Sequence, residues 1–276
     1  MLRLAVPNVN TVKLEGRTVL ITGASGGIGR ALAHRFAELG CRLILTARSK
    51  DLLDELAAEL RTAGTTVIPA DLTDTDSLAG LCDQVVERFD HLDILINNAG
   101  VGLYAPSFES RPEKVQQLFE LNFFAPVELV RRLLPLIPSG GSVVNVSSIA
   151  GKVPLPWLNI YSASKYALNA YSDGLRMELE GSGIQVLCVC PGYVGTDFSQ
   201  NVIQGAVPQK VTEQKKFKIT AEQCAQAIVD GITKRKRTVV TPVMGWGLTI
   251  LARLLPSTLY SRMAKMNPAG LLINRR

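Results

Sequence analysis

What most constrains this chain is an alternation of two kinds of run. Short apolar runs, β-branched or rich in leucine, fall at 17–22, 41–47, 65–70, 92–97, 141–148, 183–190 and 238–242. Longer amphipathic runs separate them and read as helices over 28–40, 51–63, 76–89, 112–136 and 159–180. The short runs lack apolar/polar alternation, so each strand must be covered on both faces, as parallel strands are. Repeated strand–helix–strand units connect with a right-handed crossover and place helices on both sides of the sheet. The expectation is an α/β chain, a three-layer α/β/α sandwich around a doubly wound, mainly parallel sheet of seven strands. No linker or repeat divides it, so residues 1–276 read as one domain with an extension at each end, 1–16 and 243–276. A hydrophobic content of 47% with 20% charged residues excludes a disordered chain.

Between the first strand and the first helix lies "TGASGGIG", residues 22–29. Gly23, Gly27 and Gly29 can take positive φ or let the backbone approach a ligand, and a helix amino terminus favours phosphate. The spacing G-x-x-x-G-x-G differs from the commonest dinucleotide fingerprint. Glycine-rich turns also occur simply to pack a helix tightly on a strand.

The loop is followed in order by "DLTD" (71–74), "NNAG" (97–100), Asn122, Ser148, "YSASK" (161–165) and "PGYVGT" (191–196). Together these resemble the short-chain dehydrogenase/reductase family, over about residues 17–241. The resemblance implies a Rossmann-type fold, a nicotinamide dinucleotide and interconversion of a carbonyl with an alcohol. It implies that Ser25 and Ile28 join the three glycines at the cofactor, and that Asp71 and Leu72 flank the adenine. Asn98, Ala99 and Gly100 would line the cofactor further along. Pro191, Gly192 and Val194 would shape the loop under the nicotinamide, with Thr196 bonding the carboxamide or a phosphate. Without the family, "DLTD" is an ordinary strand-to-helix turn capped by Thr73 or Asp74.

The end of the second strand reads the adenosine ribose in such folds, where an acid binds a free 2′-hydroxyl. Here "TARSK" (46–50) puts Ala47 in the acid's place, then Arg48, Ser49 and Lys50. Arg48 offers a forked guanidinium to a 2′-phosphate and Ser49 a hydroxyl, so the expected cofactor is NADP(H). A solvated basic turn is the plainer reading. Many NADP-preferring relatives carry a second basic residue where this chain has Gly26.

Tyr161 and Lys165 stand four apart at the start of a helix and so share one face. Hydride transfer to a carbonyl needs a proton for the developing alkoxide, and a free tyrosine with a pKa of about 10 is a poor base near neutrality. A cation about 4–6 Å away lowers such a pKa by roughly 1–3 units, which makes Lys165 the expected tuner. By the resemblance, Lys165 also bonds the nicotinamide ribose, Ser148 orients the substrate oxygen, and Asn122 holds a relay water. Asn122 also reads as an ordinary buried, satisfied asparagine. Strand alternation turns the neighbouring Ser147 away from Ser148.

Val101, Leu103, Tyr104, Val153, Leu155, Trp157, Tyr193 and Phe198 are expected on the substrate side, an apolar lining suited to a lipophilic ketone or alcohol. The polar segment of about 199–218 reads as a mobile lid. "KRKR" (234–237) reads first as a solvated helix end. The apolar stretch beyond Pro242, with Arg253, Arg262 and Lys265, has three readings: a pocket cover, a contact in a dimer or tetramer, or a helix on a membrane surface. A net charge of +6 without a basic helix or zinc spacing argues against a nucleic-acid partner. Five scattered cysteines read as reduced core thiols rather than a metal site, and the chain as cytoplasmic. Two other functions stay open: a non-catalytic dinucleotide binder, and an isomerase or dehydratase on the same scaffold.

Overall fold

The computed structural model describes residues 12–60, 64–199, 201–206 and 218–265. Among them run nine strands: β1 (Thr18–Thr22), β2 (Arg42–Thr46), β3 (Thr65–Val67), β4 (Ile94–Asn97), β5 (Gly102–Tyr104), β6 (Ser142–Val146), β7 (Gln185–Pro191), β8 (Val202–Gly205) and β9 (Thr238–Thr241). Seven of them form one sheet in the order β3-β2-β1-β4-β6-β7-β9, and every pairing in it is parallel. The direction of winding reverses between β1 and β4, the place where such sheets open a crevice at their carboxyl ends.

Helices α1 (Gly27–Glu38), α2 (Lys50–Glu59), α3 (Thr75–Arg88), α4 (Pro112–Phe119), α5 (Ala125–Leu133), α6 (Asn159–Glu178) and α7 (Ala221–Thr233) link the strands. Two short helices, α8 (Gly245–Leu254) and α9 (Pro256–Ala264), follow β9. Neighbouring strand residues feed opposite cores. Val19 and Ile21 of β1 pack with Leu32 and Phe36 of α1, while Leu20 packs with Leu81 and Val85 of α3. All of these are buried, which is the physical reason the strands read as continuous apolar runs.

Two elements differ from expectation. The run at 65–70 is a regular strand only to Val67, although Ile68 and Ala70 still donate to Leu45 O and Ala47 O, either side of the donor-less Pro69. The long helix expected over 112–136 is broken by a wider π turn at Glu120–Phe124, in which Ala125 donates back to Glu120 O. Pro126 accounts for the break. It has no N–H for the carbonyl of Asn122, and its ring would press on that carbonyl in a regular α-helix.

The described part of the expected lid is partly ordered structure, since β8 pairs in parallel with β5. Residues 200 and 207–217 of that segment, 1–11 of the amino-terminal extension and 266–276 of the carboxy-terminal one lie outside the described residues. No described helix is long and apolar enough to cross a membrane.

The β1-to-α1 turn is held at a contact only glycine permits. A Cβ on Gly29 would lie 2.1 Å from Gly23 O and 2.8 Å from Asn98 Nδ2. Gly80, inside α3, has nothing within 4 Å of such a Cβ. The same substitution should therefore act with opposite signs. Urea unfolding of Gly80→Ala is expected to show a gain of about 0.5–1 kcal/mol, the ordinary helix preference for Ala. Gly29→Ala is expected to lose about 1–3 kcal/mol or more, as overpacking does.

Candidate active site

The glycine turn is clamped from β4. Thr22 Oγ1 accepts the backbone N–H groups of Asn98 and Ala99, both at 2.9 Å, and donates to Ile96 O at 3.2 Å. Asn98 Nδ2 answers by donating to Thr22 O at 2.8 Å and Gly23 O at 3.3 Å. Gly23 and Gly27 take φ of 64° and 52°, where a side chain would be strained. Gly26 opens α1 without a side-chain cap, so the first N–H groups of the helix keep no side-chain oxygen. Ser25 is half-buried beside the turn, while Ile28 packs towards the core. From the other side, a Cβ on Gly27 would lie 3.3 Å from Thr196 Cβ, so the 191–196 loop closes on the turn. That loop is pinned by Gly192 N–H to Thr241 O at 2.7 Å and by the Val194–Ile219 bridge. Val194 turns its side chain into the core.

At the end of β2, Ala47 packs on the core and Arg48 is exposed. Ser49 is the N-cap of α2, its Oγ accepting from Leu52 N at 3.4 Å. Asp71 accepts from Thr73 through its N–H at 2.9 Å and its hydroxyl at 2.7 Å. Burial works against the charged form, yet these bonds and the Arg48 charge hold the Asp71 carboxyl below the usual carboxylate range. Arg48 and Asp71 are therefore neighbours at the β2 end of the crevice. Leu72 is buried in the core, and Asp74 caps α3 by accepting from Ser77 N at 2.7 Å.

The chemistry-bearing side chains meet where β6 ends and α6 begins. Ser148 follows β6 and opens a single turn, its Oγ accepting from Ala150 N at 3.1 Å. The same hydroxyl lies beside Tyr161, on the first turn of α6, close enough to act on its phenol. One turn on, Lys165 is 3% exposed and donates to Val146 O at 3.1 Å. Its Nζ lies 5.9 Å from the centre of the Tyr161 ring. Gly100 lets these groups converge, since a Cβ there would lie 3.1 Å from Asn122 Oδ1 and 3.4 Å from Lys165 Nζ. Asn122, fully buried in the π turn, accepts from Val101 N at 2.9 Å and donates to Val101 O at 3.0 Å and Ser164 Oγ at 3.2 Å. This matches the plain reading of a satisfied buried asparagine, and it ties the π turn to both the post-β4 loop and α6.

The electrostatics correct one expectation. The net shift of Tyr161 is upward rather than downward: burial drives the phenol well above its ordinary value, and the neighbouring Ser148 hydroxyl opposes this only in part. Lys165 itself is pushed down to about 8 by burial. Loss of water weighs more than the neighbouring charge because both groups are nearly dry and the ammonium is turned towards a backbone carbonyl.

Several supporting residues were given no role from the sequence. Ser147 donates to Lys165 O at 3.1 Å, and Asn169 donates to Gly151 O at 2.5 Å. A Cβ on Gly151 would lie 2.7 Å from Lys165 O. Asn97 donates to Asn145 at 2.9 Å, and Asn145 to Ser172 Oγ at 2.9 Å, a buried polar rung across β4, β6 and α6. Its signal is a polar residue inside an otherwise apolar strand. Asn169 Oδ1 also accepts from Cys188 Sγ at 3.0 Å, and all five cysteines are free and buried.

Several residues expected on the substrate side pack together. Tyr104, Leu155, Trp157 and Phe198 pack in one cluster with Leu103 and Tyr161, the Phe198 and Tyr161 rings 5.8 Å apart. Tyr193 lies close enough to Tyr104 to help burial push the Tyr104 phenol up to about 12. Val153 is a correction. It is buried beneath α8 and α9 against Ala252 and Leu259, because the chain after Ser148 turns outward before it returns at Leu155.

With this geometry in place, comparison with known proteins is direct. The family described as short chain dehydrogenase matches residues 17–206. Dehydrogenase/reductase SDR family member 7B of Bos taurus is 35% identical over 265 residues, covering 91% of this chain and 81% of the relative. A short-chain dehydrogenase from Sphingobium yanoikuyae, solved in complex with NADPH, has 31% identity and a TM-score of 0.75, covering 93% of this chain and 97% of its own. A short-chain dehydrogenase/reductase from Burkholderia phymatum in complex with NAD shares the fold at a TM-score of 0.80 and 24% identity, over 91% and 96% of the two chains.

Burial of Lys165 makes a stability prediction. A lysine whose folded pKa is depressed opposes folding in full below that pKa, and the opposition fades as pH rises to the unfolded pKa. Stability from this group should therefore rise with pH between about 8 and the unfolded lysine value of about 10.4. Lys165→Met is expected to be more stable than the parent at pH 7 by about 1–3 kcal/mol, the gap closing by about pH 10. Urea unfolding at a series of pH values measures both.

Proposed function

The chain belongs to the short-chain dehydrogenase/reductase family, and from that premise we propose that it interconverts a carbonyl and an alcohol, using NADP(H), on a lipophilic substrate. The observation that carries this reading is the convergence of Ser148, Tyr161 and a buried Lys165 beyond the carboxyl end of β6, with Lys165 Nζ 5.9 Å from the Tyr161 ring and beside Gly100 of the post-β4 loop.

The turn fits a dinucleotide. Gly29 brings α1 onto β1 at a distance no side chain allows, the first N–H groups of α1 are uncapped, and Arg48 stands exposed beside Asp71. Gly23, Gly27, Asn98, Ala99 and Gly100 would form its bed, with Thr196 closing over it. When bound, the nicotinamide exchanges a hydride with the substrate carbon.

The chain's own residues handle the proton. Burial keeps Tyr161 as the neutral phenol at neutral pH, so it acts as the acid that donates to the substrate oxygen as negative charge gathers there. Ser148 lies beside that phenol and stabilises the same oxygen. Lys165 keeps its proton below about pH 8 and supplies positive charge near the phenol as it gives its own up. Asn122 and Ser147 position α6 and the post-β4 loop around them. Tyr104, Leu155, Trp157 and Phe198 offer an apolar wall with few fixed polar groups, which supports a lipophilic substrate over a sugar. Assembly as a homo-oligomer belongs to the same reading, by membership of the family.

NADP(H) over NAD(H) rests on Arg48 and on Ala47 in the acid's place. The NADPH complex of the Sphingobium yanoikuyae relative adds support. NADPH is expected to exceed NADH in kcat/KM by at least about tenfold. Arg48→Ala should lower the NADPH value about 10–100-fold, the worth of a charge-assisted bond, and leave NADH nearly unchanged. Equal efficiencies in the parent protein would reject the preference. For the chemistry, Tyr161→Phe should bind NADPH, followed by fluorescence, but reduce apolar ketones at least about a hundredfold more slowly. Retained turnover in that variant would overturn the assignment.

A further inference from the structure

The surface beyond β9 differs from the rest of the molecule. Thr249 and Ala252 of α8 face inward, and Ala252 and Leu259 pack on Val153. The remaining arc of α8 presents Trp246, Ile250, Leu251 and Leu254 to solvent, and Met244 precedes them. Leu254 is 73% exposed, Met244 67% and Ile250 53%. Arg253 is the sole charged residue of Gly245–Leu254. A helix apolar on all sides belongs in apolar surroundings on all sides, and a contiguous exposed patch of this kind marks an interaction surface.

Charge decides what covers it. The net charge of +6 is not spread along the chain: no Asp or Glu follows Asp230, whereas nine Lys and Arg do, and the residues before are net acidic. Lys234–Arg237 sit at the amino end of β9, one strand length from α8. Arg253, Arg262 and Lys265 are exposed on the two helices themselves or at their end. Two copies meeting across this face would bring like charges together with no carboxylate on either helix to answer them. An anionic lipid surface answers both features at once, with acyl chains for the leucines and phosphates for the cations. Beneath the pair, against α6, lies a cavity of about 280 Å³ walled in part by Lys152, Arg253, Tyr166 and Tyr260. Its one carboxylate, Asp173, is already engaged by Arg176 at 2.6 Å. Lys152 and Arg253 are thus placed to receive a phosphate headgroup.

We propose that α8 and α9 form a docking face for an anionic lipid surface, lying in its plane, with Met244, Trp246, Ile250, Leu251 and Leu254 entering the acyl boundary. This inference stands apart from the catalytic reading, since it requires neither cofactor nor turnover.

The test is sedimentation of the full-length protein with vesicles of phosphatidylcholine alone or mixed with phosphatidylglycerol. Binding is expected to the mixed vesicles, weakened by salt, and at least about tenfold weaker to phosphatidylcholine alone. Leu251→Ser/Leu254→Ser should lower the partition coefficient at least about tenfold. Arg262→Glu/Lys265→Glu, which leaves the apolar face intact, should do so by about tenfold. Vesicles should also shift the Trp246 emission to the blue, read as the difference between the parent and Trp246→Phe. No binding to the mixed vesicles overturns the proposal, as does binding that survives both double substitutions. Self-association of the parent that Leu251→Ser/Leu254→Ser abolishes, with no vesicle binding, assigns the face to a second copy instead.

Discussion

Burying one ammonium group organises this site. Lys165 is almost dry, and a lone charge in that position is costly unless its surroundings are arranged for it. The chain arranges them by pressing α6 onto the end of β6. Val146 O receives the amino group, Ser147 binds the Lys165 carbonyl, and Gly151 has no side chain to keep that carbonyl away. Asn169 then closes the same contact one turn further along. The residue to which the proposed chemistry assigns the positive charge is thus also a cost to the fold, and the packing around it offsets that cost.

The second constraint is the approach of α1 to β1. A carbonyl of the glycine turn occupies the space a Gly29 side chain would need, and the Thr22–Asn98 exchange of hydrogen bonds holds the turn against β4. The crevice at the winding reversal is therefore preformed by backbone groups rather than by mobile side chains. Its two ends differ in kind. The β2 end is exposed and charged, with Arg48 beside Asp71, while the β6 end is dry and lined by aromatic rings. A ligand that is a phosphate-rich rod at one end and a flat ring at the other matches that division.

Most of the fold was legible in the sequence, because strand and helix periods are local properties and glycine and proline act where they stand. The seven short apolar runs became the seven strands of the main sheet, in a fold shared with solved relatives. The π turn was not read from the sequence, although Pro126, four residues after Asn122, is the local signal for it. The small β5–β8 sheet was not legible, since its two strands of three and four residues pair across a hundred positions and neither shows a period. Val153 was misplaced for a related reason. Its apolar character is correct for either face, and only the position of α8 and α9 decides which face it joins.

The sequence by itself determined the doubly wound architecture, the family, and which side chains stand at the ends of which strands, all of which follow from residue type and spacing. The tertiary structure alone decided the electrostatics. From spacing, Lys165 reads as the cation that acidifies Tyr161; in the fold, lost hydration raises the phenol and lowers the amine. It also decided that Asn122 is saturated by Val101 and Ser164, and that α8 turns an apolar arc to solvent. Desolvation and burial are sums over everything within a few ångströms of an atom, and no stretch of sequence contains that sum.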